Sequence, residues 1–194
     1  MRLLNKRIGV AMSGSHHSLE GVLESVKNLQ KEGAELVPIV SSAILNVTTR
    51  YGDAEYWLSR IEECFGRKPL TSIPDVEPIG PKRLLDVLLV APCTGNTLAK
   101  IANALTDSSV TMAVKSQLRI GRPVILSITT NDALGLNAKN LASLLVTKNV
   151  YFVPFGQDHP FEKPNSLVAH LDLVVPTIEA AIRGEQLQPI LVPW

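Results

Sequence analysis

One stretch, Asp86-Val-Leu-Leu-Val-Ala91, constrains this chain more than any other. A run so continuously apolar has no polar face. As a strand it must be covered on both sides, which is the condition of a parallel sheet held between layers of helix. Parallel neighbours are joined by long crossovers, normally helical, so the flanking sequence has to alternate strand with helix. It does. Residues 8–12, 34–40 and 124–128 read as further buried strands, and 149–154 and 173–175 as final strands or extended pieces. Between the first two, Leu19, Val22, Leu23, Val26 and Leu29 recur at helical spacing, with Gly33 placed to end the helix. Further helices are expected over 53–64 (apolar side Tyr56, Trp57, Ile61 and Cys64), 97–105, 110–118, 138–146 and 177–183. Residues 66–82, with Pro69, Pro74, Pro78 and Pro81, read as a long loop holding at most one short strand. The expected architecture is α/β: one doubly wound, three-layer domain over residues 1–194, with a parallel sheet and right-handed crossovers.

A chain of 194 residues that is 45% apolar and 19% charged can bury a core of its own, without disulfide or metal. Nineteen Lys and Arg against eighteen Asp and Glu leave a net charge of +1. A protein that binds nucleic acid through phosphates needs a basic excess, so no nucleic-acid partner is expected. Cys64 and Cys93 stand far apart with no CxxC or Cys/His spacing, which argues against a disulfide framework or a zinc site. No apolar run reaches the roughly 20 residues that span a bilayer, and the short 8–12 run does not suit a signal peptide. A reduced cytoplasmic protein with no membrane association is the expectation.

Ligands of open parallel sheets bind beyond the carboxyl ends of the strands. Four such ends carry polar residues here. Met12-Ser-Gly-Ser15 can present backbone N–H groups and hydroxyls at a helix start, so Gly14 and Ser15 are candidates to hold a phosphate. No GxGxxG is present, so a mononucleotide suits this turn better than a dinucleotide. Ser41 follows the second strand. Ala91-Pro-Cys-Thr-Gly-Asn-Thr97 gathers donors at one strand end, among them Thr94, Asn96 and Thr97, and suits a planar polar heterocycle. Asn131, in Thr129-Thr-Asn131 after the 124–128 strand, faces the same crevice. His16-His17 is read as a solvated loop, His159 as part of a Pro-flanked loop and His170 as part of a helical stretch. Cys93 is read as a small buried packing residue.

The run Ala91-Pro-Cys-Thr-Gly-Asn-Thr-Leu-Ala-Lys-Ile-Ala-Asn103 resembles the Pro-x-x-x-Asn-Thr loop of the FMN-binding flavoproteins. That family includes the homo-oligomeric flavin-containing cysteine decarboxylases and the flavin prenyltransferases. The Ser13-Gly-Ser15 turn, Ser41 and Asp107 fall in family order, over roughly residues 7–150. The resemblance implies a Rossmann-like (flavodoxin-like) fold, FMN as cofactor, and a homo-oligomer. It places Gly14, Ser15 and Ser41 at the phosphate, and Thr94, Asn96, Thr97 and Asn131 at flavin or substrate. Two departures stand out. The decarboxylase His is missing from Glu77-Pro-Ile-Gly-Pro81, and Pro-x-Met-Asn reads Ile128-Thr-Thr-Asn131. The prenyltransferase Arg expected near Thr129 is missing too.

Ile8-Gly-Val-Ala-Met-Ser-Gly-Ser-His-His-Ser18, Pro154-Phe-Gly-Gln-Asp-His-Pro160 and Leu191-Val-Pro-Trp194 narrow the resemblance to one branch. Its members work beside a second, dehydrogenase-like subunit, which is where NADP would bind. That branch implies an oxidation giving an aromatic dicarboxylate, with Lys115, Arg119 and Arg122 as candidates to pair with the carboxylates. A flavin-dependent decarboxylase of a cysteine-derived substrate, or a non-catalytic scaffold subunit, are the alternatives.

Overall fold

The computed structural model describes residues 1–193, so the Trp194 end of the closing motif lies outside the described residues. Strands β1 (Arg7–Met12) and β3 (Val87–Cys93) lie side by side and parallel. Outside them run β2 (Glu35–Val40), parallel to β1, and β4 (Val124–Thr130), parallel to β3. β5 (Val150–Phe152) extends the parallel sheet along the first half of β4, with Val124 opposite Val150. The order β2-β1-β3-β4 means that the chain steps outward from β1 to β2 and then returns past β1 to form β3. A crevice opens where that direction reverses, at the carboxyl ends of β1 and β3.

Helices cover both faces of the sheet. All seven residues of β3 are buried, as the unbroken apolar run requires. The expected stripe of α1 (His16–Lys31), Leu19, Val22, Leu23, Val26 and Leu29, is buried, and Gly33 leaves the helix at φ +86°. Each such side chain contributes roughly 1.5–3 kcal/mol of transfer free energy, offset by the entropy of ordering it. The short α2 (Ser42–Asn46) and α3 (Ala54–Phe65) follow β2, and α5 (Gly95–Ala102) and α6 (Ser109–Arg119) join β3 to β4. Then come α7 (Ala138–Leu145) and α8 (Val174–Ile182). Among the described residues no helix is long and apolar enough to cross a membrane.

The structure departs from the sequence expectation in several places. The sheet is not wholly parallel: β6 (Phe155–Gly156) and β7 (Leu167–Ala169) form an antiparallel hairpin whose β7 pairs with Thr129 and Thr130 of β4. Thr129 and Thr130 therefore belong to the strand and do not follow it. Residues 173–175 are not extended. A 3-10 turn over Leu171–Leu173 leads directly into α8, which buries Val174, Val175 and Ile178, so tertiary packing overrides local β propensity. His170 precedes that turn and is not helical. The loop over 66–82 holds a helical turn, α4 (Ile73–Val76), started by a Ser72/Asp75 capping box, and a 3-10 turn over Glu77–Ile79. Along α3 the buried stripe is Trp57, Ile61 and Phe65, whereas Tyr56 is exposed and Cys64 half-buried. The packed face lies one residue further round than the expected one.

Candidate functional site

The carboxyl ends of β1 and β3 are tied together by Ser13. Its hydroxyl donates to the Pro92 carbonyl at 2.6 Å and accepts from the Thr94 N–H at 3.2 Å. This holds the Gly14–Ser15 turn against the start of α5, and a cavity of about 650 Å³ opens over the two. Gly14, Ser15, Thr94 and Asn131 line it, four of the seven residues expected to hold a cofactor.

Gly14 is required by a close approach. A Cβ there would lie 2.7 Å from the Cβ of Ala43 at the start of α2. Ser15 stands at the N-cap of α1 but makes no cap; its Oγ meets His17 Nδ1 at 3.2 Å and Ser18 Oγ at 3.3 Å. The Ser18 N–H turns back to the Ser15 carbonyl at 3.0 Å, which leaves the His16 and His17 amides of this sixteen-residue helix, with the positive end of its dipole, for an anion. Thr94, by contrast, caps α5, accepting from Thr97 N–H at 3.3 Å. Its hydroxyl lies 3.1 Å from that of Thr97, so Thr97 orients Thr94 from behind the cavity wall. Asn96 is exposed on the first turn of α5 and Ser41 is buried beside Met12, and neither lines the cavity. The Ser41 hydroxyl has no hydrogen-bond partner among the described residues.

Other lining residues escaped the sequence reading. His16 is buried, not solvated, and its Nδ1 lies 3.0 Å from the Gly14 carbonyl. A carbonyl only accepts, so Nδ1 carries the proton and a neutral ring has Nε2 as an acceptor; that buried atom has no partner among the described residues. His17 is exposed and packs near Tyr51, with ring centroids 6.2 Å apart. Tyr51 and Arg50 come from a tight turn, Thr49 to Gly52, between α2 and α3. The Arg50 guanidinium lies over the Tyr51 ring at 4.9 Å, and among the described residues Arg50 is the one Lys or Arg on the cavity wall. No local pattern announces this turn, because its place on the cavity wall comes from packing beside His17 of α1. On the far wall Asp132 accepts from Thr130 Oγ1 and, at 2.7 Å, from Asn137 Nδ2. Asn140 and Asn103 extend that chain of amides away from the cavity.

The three cations expected near substrate lie elsewhere. Arg122 binds the Leu85 carbonyl at 2.5 Å and Asp86 at 2.7 Å, at the amino ends of β3 and β4. Lys115 and Arg119 are exposed on α6, and neither lines the cavity. Cys93 is fully buried, and burial pushes its thiol up to about 12, which suits packing and not nucleophilic attack.

A parallel sheet in this strand order, with a ligand-sized crevice at the switch between β1 and β3, is the flavodoxin-like arrangement. Comparison with known proteins agrees. The family described as Flavoprotein matches residues 2–172. The dipicolinate synthase B subunit of Bacillus subtilis (strain 168) is 50% identical over 190 residues, 98% of this chain and 95% of that protein. The crystal structure of the dipicolinate synthase B subunit from Bacillus halodurans superposes with a TM-score of 0.91 at 44% identity, over 100% of this chain and 99% of the other. SpaF, an FMN-dependent cysteine decarboxylase, shares the fold alone, with a TM-score of 0.70 at 20% identity over 93% of this chain and 97% of its own. This chain belongs to the Flavoprotein family.

Proposed function

We propose that this chain is the flavin-binding subunit of a dipicolinate synthase. It would act with a dehydrogenase-like subunit in oxidising a dihydrodipicolinate-level intermediate to pyridine-2,6-dicarboxylate during sporulation. The observation that carries this reading is the uncapped amino end of α1 opening into the cavity at the carboxyl ends of β1 and β3, in a chain half identical to a protein named as that synthase's B subunit. The donor set fits a flavin mononucleotide. Gly14, Ser15 and the first turn of α1 suit its phosphate, with the partnerless Ser41 hydroxyl behind them. Thr94, held by Thr97, and Asn131 offer hydrogen bonds to a ring system, and Asn96 extends the set along α5.

Aromatising the ring removes two hydrogens, one as hydride and one as a proton. Bound flavin supplies the two-electron acceptor; NADP on the partner subunit is the other source of redox chemistry. This chain's residues orient the substrate. Arg50 reaches the cavity where Lys115, Arg119 and Arg122 do not, so pairing with an anionic group of whatever the first cavity holds falls to Arg50. We also propose that residues 1–194 work as one domain within a homo-oligomer. Leu136, Val146 and Phe161 are 87%, 85% and 98% exposed, apolar surface that association would cover.

Two measurements test the reading. The purified chain should carry, or take up on addition, a flavin visible in its absorbance spectrum after gel filtration. A chain that stays colourless with added FMN has no such cofactor. Coexpressed with the dehydrogenase-like subunit, it should raise dipicolinate formation. Equal formation without this chain would remove the synthase role, and cysteine-peptide decarboxylation by the chain alone would favour the decarboxylase chemistry.

A further inference from the structure

Beside the first cavity, α1, β4 and β7 wall a second, partly open chamber of about 400 Å³. The two share His17 and Thr129 as a common wall. The volume is near the low end of the roughly 300–1,000 Å³ typical of small-molecule sites, the scale of one substituted ring.

Ser127 is the informative residue of this chamber. It lies in the middle of β4 with 0% of its surface exposed, and its hydroxyl has no hydrogen-bond partner among the described residues. Its neighbours Leu126 and Ile128 are core residues. An unpaired buried hydroxyl costs about 1–3 kcal/mol, which Ala or Val at the same place would avoid. Thr129 follows two residues later and so shares the same strand face. The imidazoles of His17 and His170 line the flanks, and Val168 and Ala169 supply an apolar wall from β7. The hydroxyls of Ser127 and Thr129 can both donate hydrogen bonds, and among the described residues no Lys or Arg lines the chamber. Asp172, the one acid on the lining among the described residues, is exposed. The complement of such a wall is a planar ring carrying acceptor oxygens.

We infer that this chamber is a second ligand site, which receives a small carboxylated ring through the Ser127 hydroxyl, beside the mononucleotide and separate from it. The choice of ring rests on the synthase reading above; the site itself rests on the chamber and its orphaned hydroxyl. The two cavities divide the work: the first takes the cofactor, and the wall of His17 and Thr129 brings the second ligand alongside.

The test is calorimetric titration of the full chain with pyridine-2,6-dicarboxylate, with and without added FMN. Saturable binding is expected, weakened about three- to tenfold in Ser127→Ala by the loss of one hydrogen bond. Val168→Phe, which fills the chamber from β7, should abolish it. FMN uptake by Ser127→Ala should match the unmodified chain, and its melting temperature should be no lower, since the orphaned hydroxyl is removed. If Val168→Phe does not fold, Ser127→Ala and the conservative Ser127→Cys decide the matter. Wild-type affinity in the Ser127 variants, or no binding by the unmodified chain, overturns the inference. So does binding lost in Arg50→Gln but kept in Ser127→Ala, because the ring would then occupy the first cavity. A chain that binds the dicarboxylate through Ser127 yet takes up no FMN keeps this site and refutes the flavin reading. FMN uptake with no ring binding does the reverse.

Discussion

Single residues show how tightly the site is built into the fold. Gly14 is glycine because α2 comes close at Ala43, and not because of a left-handed backbone. Gly14→Ala should therefore lower stability by roughly 1–3 kcal/mol, the cost of an overpacked contact. Adding Ala43→Gly should restore much of it, as urea unfolding of the single and double variants will measure. A double variant no more stable than Gly14→Ala would mean that the strain lies elsewhere. Cys93 makes a second residue-scale prediction. Burial disfavours its thiolate and pushes the thiol up to about 12, so in the folded protein iodoacetamide should leave it unmodified at neutral pH. Half-buried Cys64 should react first, and Cys93 only after denaturation, by mass spectrometry of the alkylated chain. The sequence reading of Cys93 as packing follows from its place in an apolar run. His16 could not be read the same way, since its burial depends on the α1 turn meeting Trp57 of α3, 6.5 Å away between ring centroids.

At the scale of elements, helix starts divide into those that stabilise and those that also serve the site. Thr94 caps α5 and lines the cavity, whereas Ser108 caps α6 with a Ser108/Thr111 capping box and does not line it. Thr94→Ala and Ser108→Ala should each cost about 1 kcal/mol. Only Thr94→Ala should also weaken FMN binding, as fluorescence titration will show. Equal FMN affinity in both variants would remove α5 from the proposed site. The main strands and the longer helices were legible in the sequence because apolar spacing alone dictates which face is buried. The β6–β7 hairpin was not, because strands of two and three residues carry no period. They exist only because the second half of β4 leaves an unpaired edge beyond β5.

Across the whole molecule, the two ends of the sheet do different things. The carboxyl ends hold the candidate site. At the amino ends Asp86 accepts from the Arg7 N–H at 2.9 Å and from Arg122 at 2.7 Å, joining β1, β3 and β4. Burial by itself would raise the Asp86 carboxyl, but these hydrogen bonds and the Arg122 and Arg7 charges outweigh it and hold the group below its usual 3.8. A lowered folded value stabilises the protein above the unfolded value, and that contribution is lost as pH falls through the folded one. Asp86→Asn should therefore cost roughly 1–3 kcal/mol at neutral pH. The difference from the unmodified chain should shrink as the pH drops below about 4, while FMN binding at neutral pH stays unchanged. A difference in stability that persists in acid would show that the ion pair is not its source.

The sequence by itself determined the layered α/β class, the strand ends where chemistry can occur and the family, because these depend on local composition and on short contiguous motifs. It also marked Gly14, Ser15, Thr94 and Asn131, each adjacent to a strand that the apolar pattern reveals. Only the tertiary structure decided that Arg50 and His16 join them while Arg122 is spent at the opposite end on Asp86. The physical reason is that a cavity is a meeting of segments distant along the chain. Which charged side chain reaches it depends on crossover geometry and packing, and no local pattern encodes these.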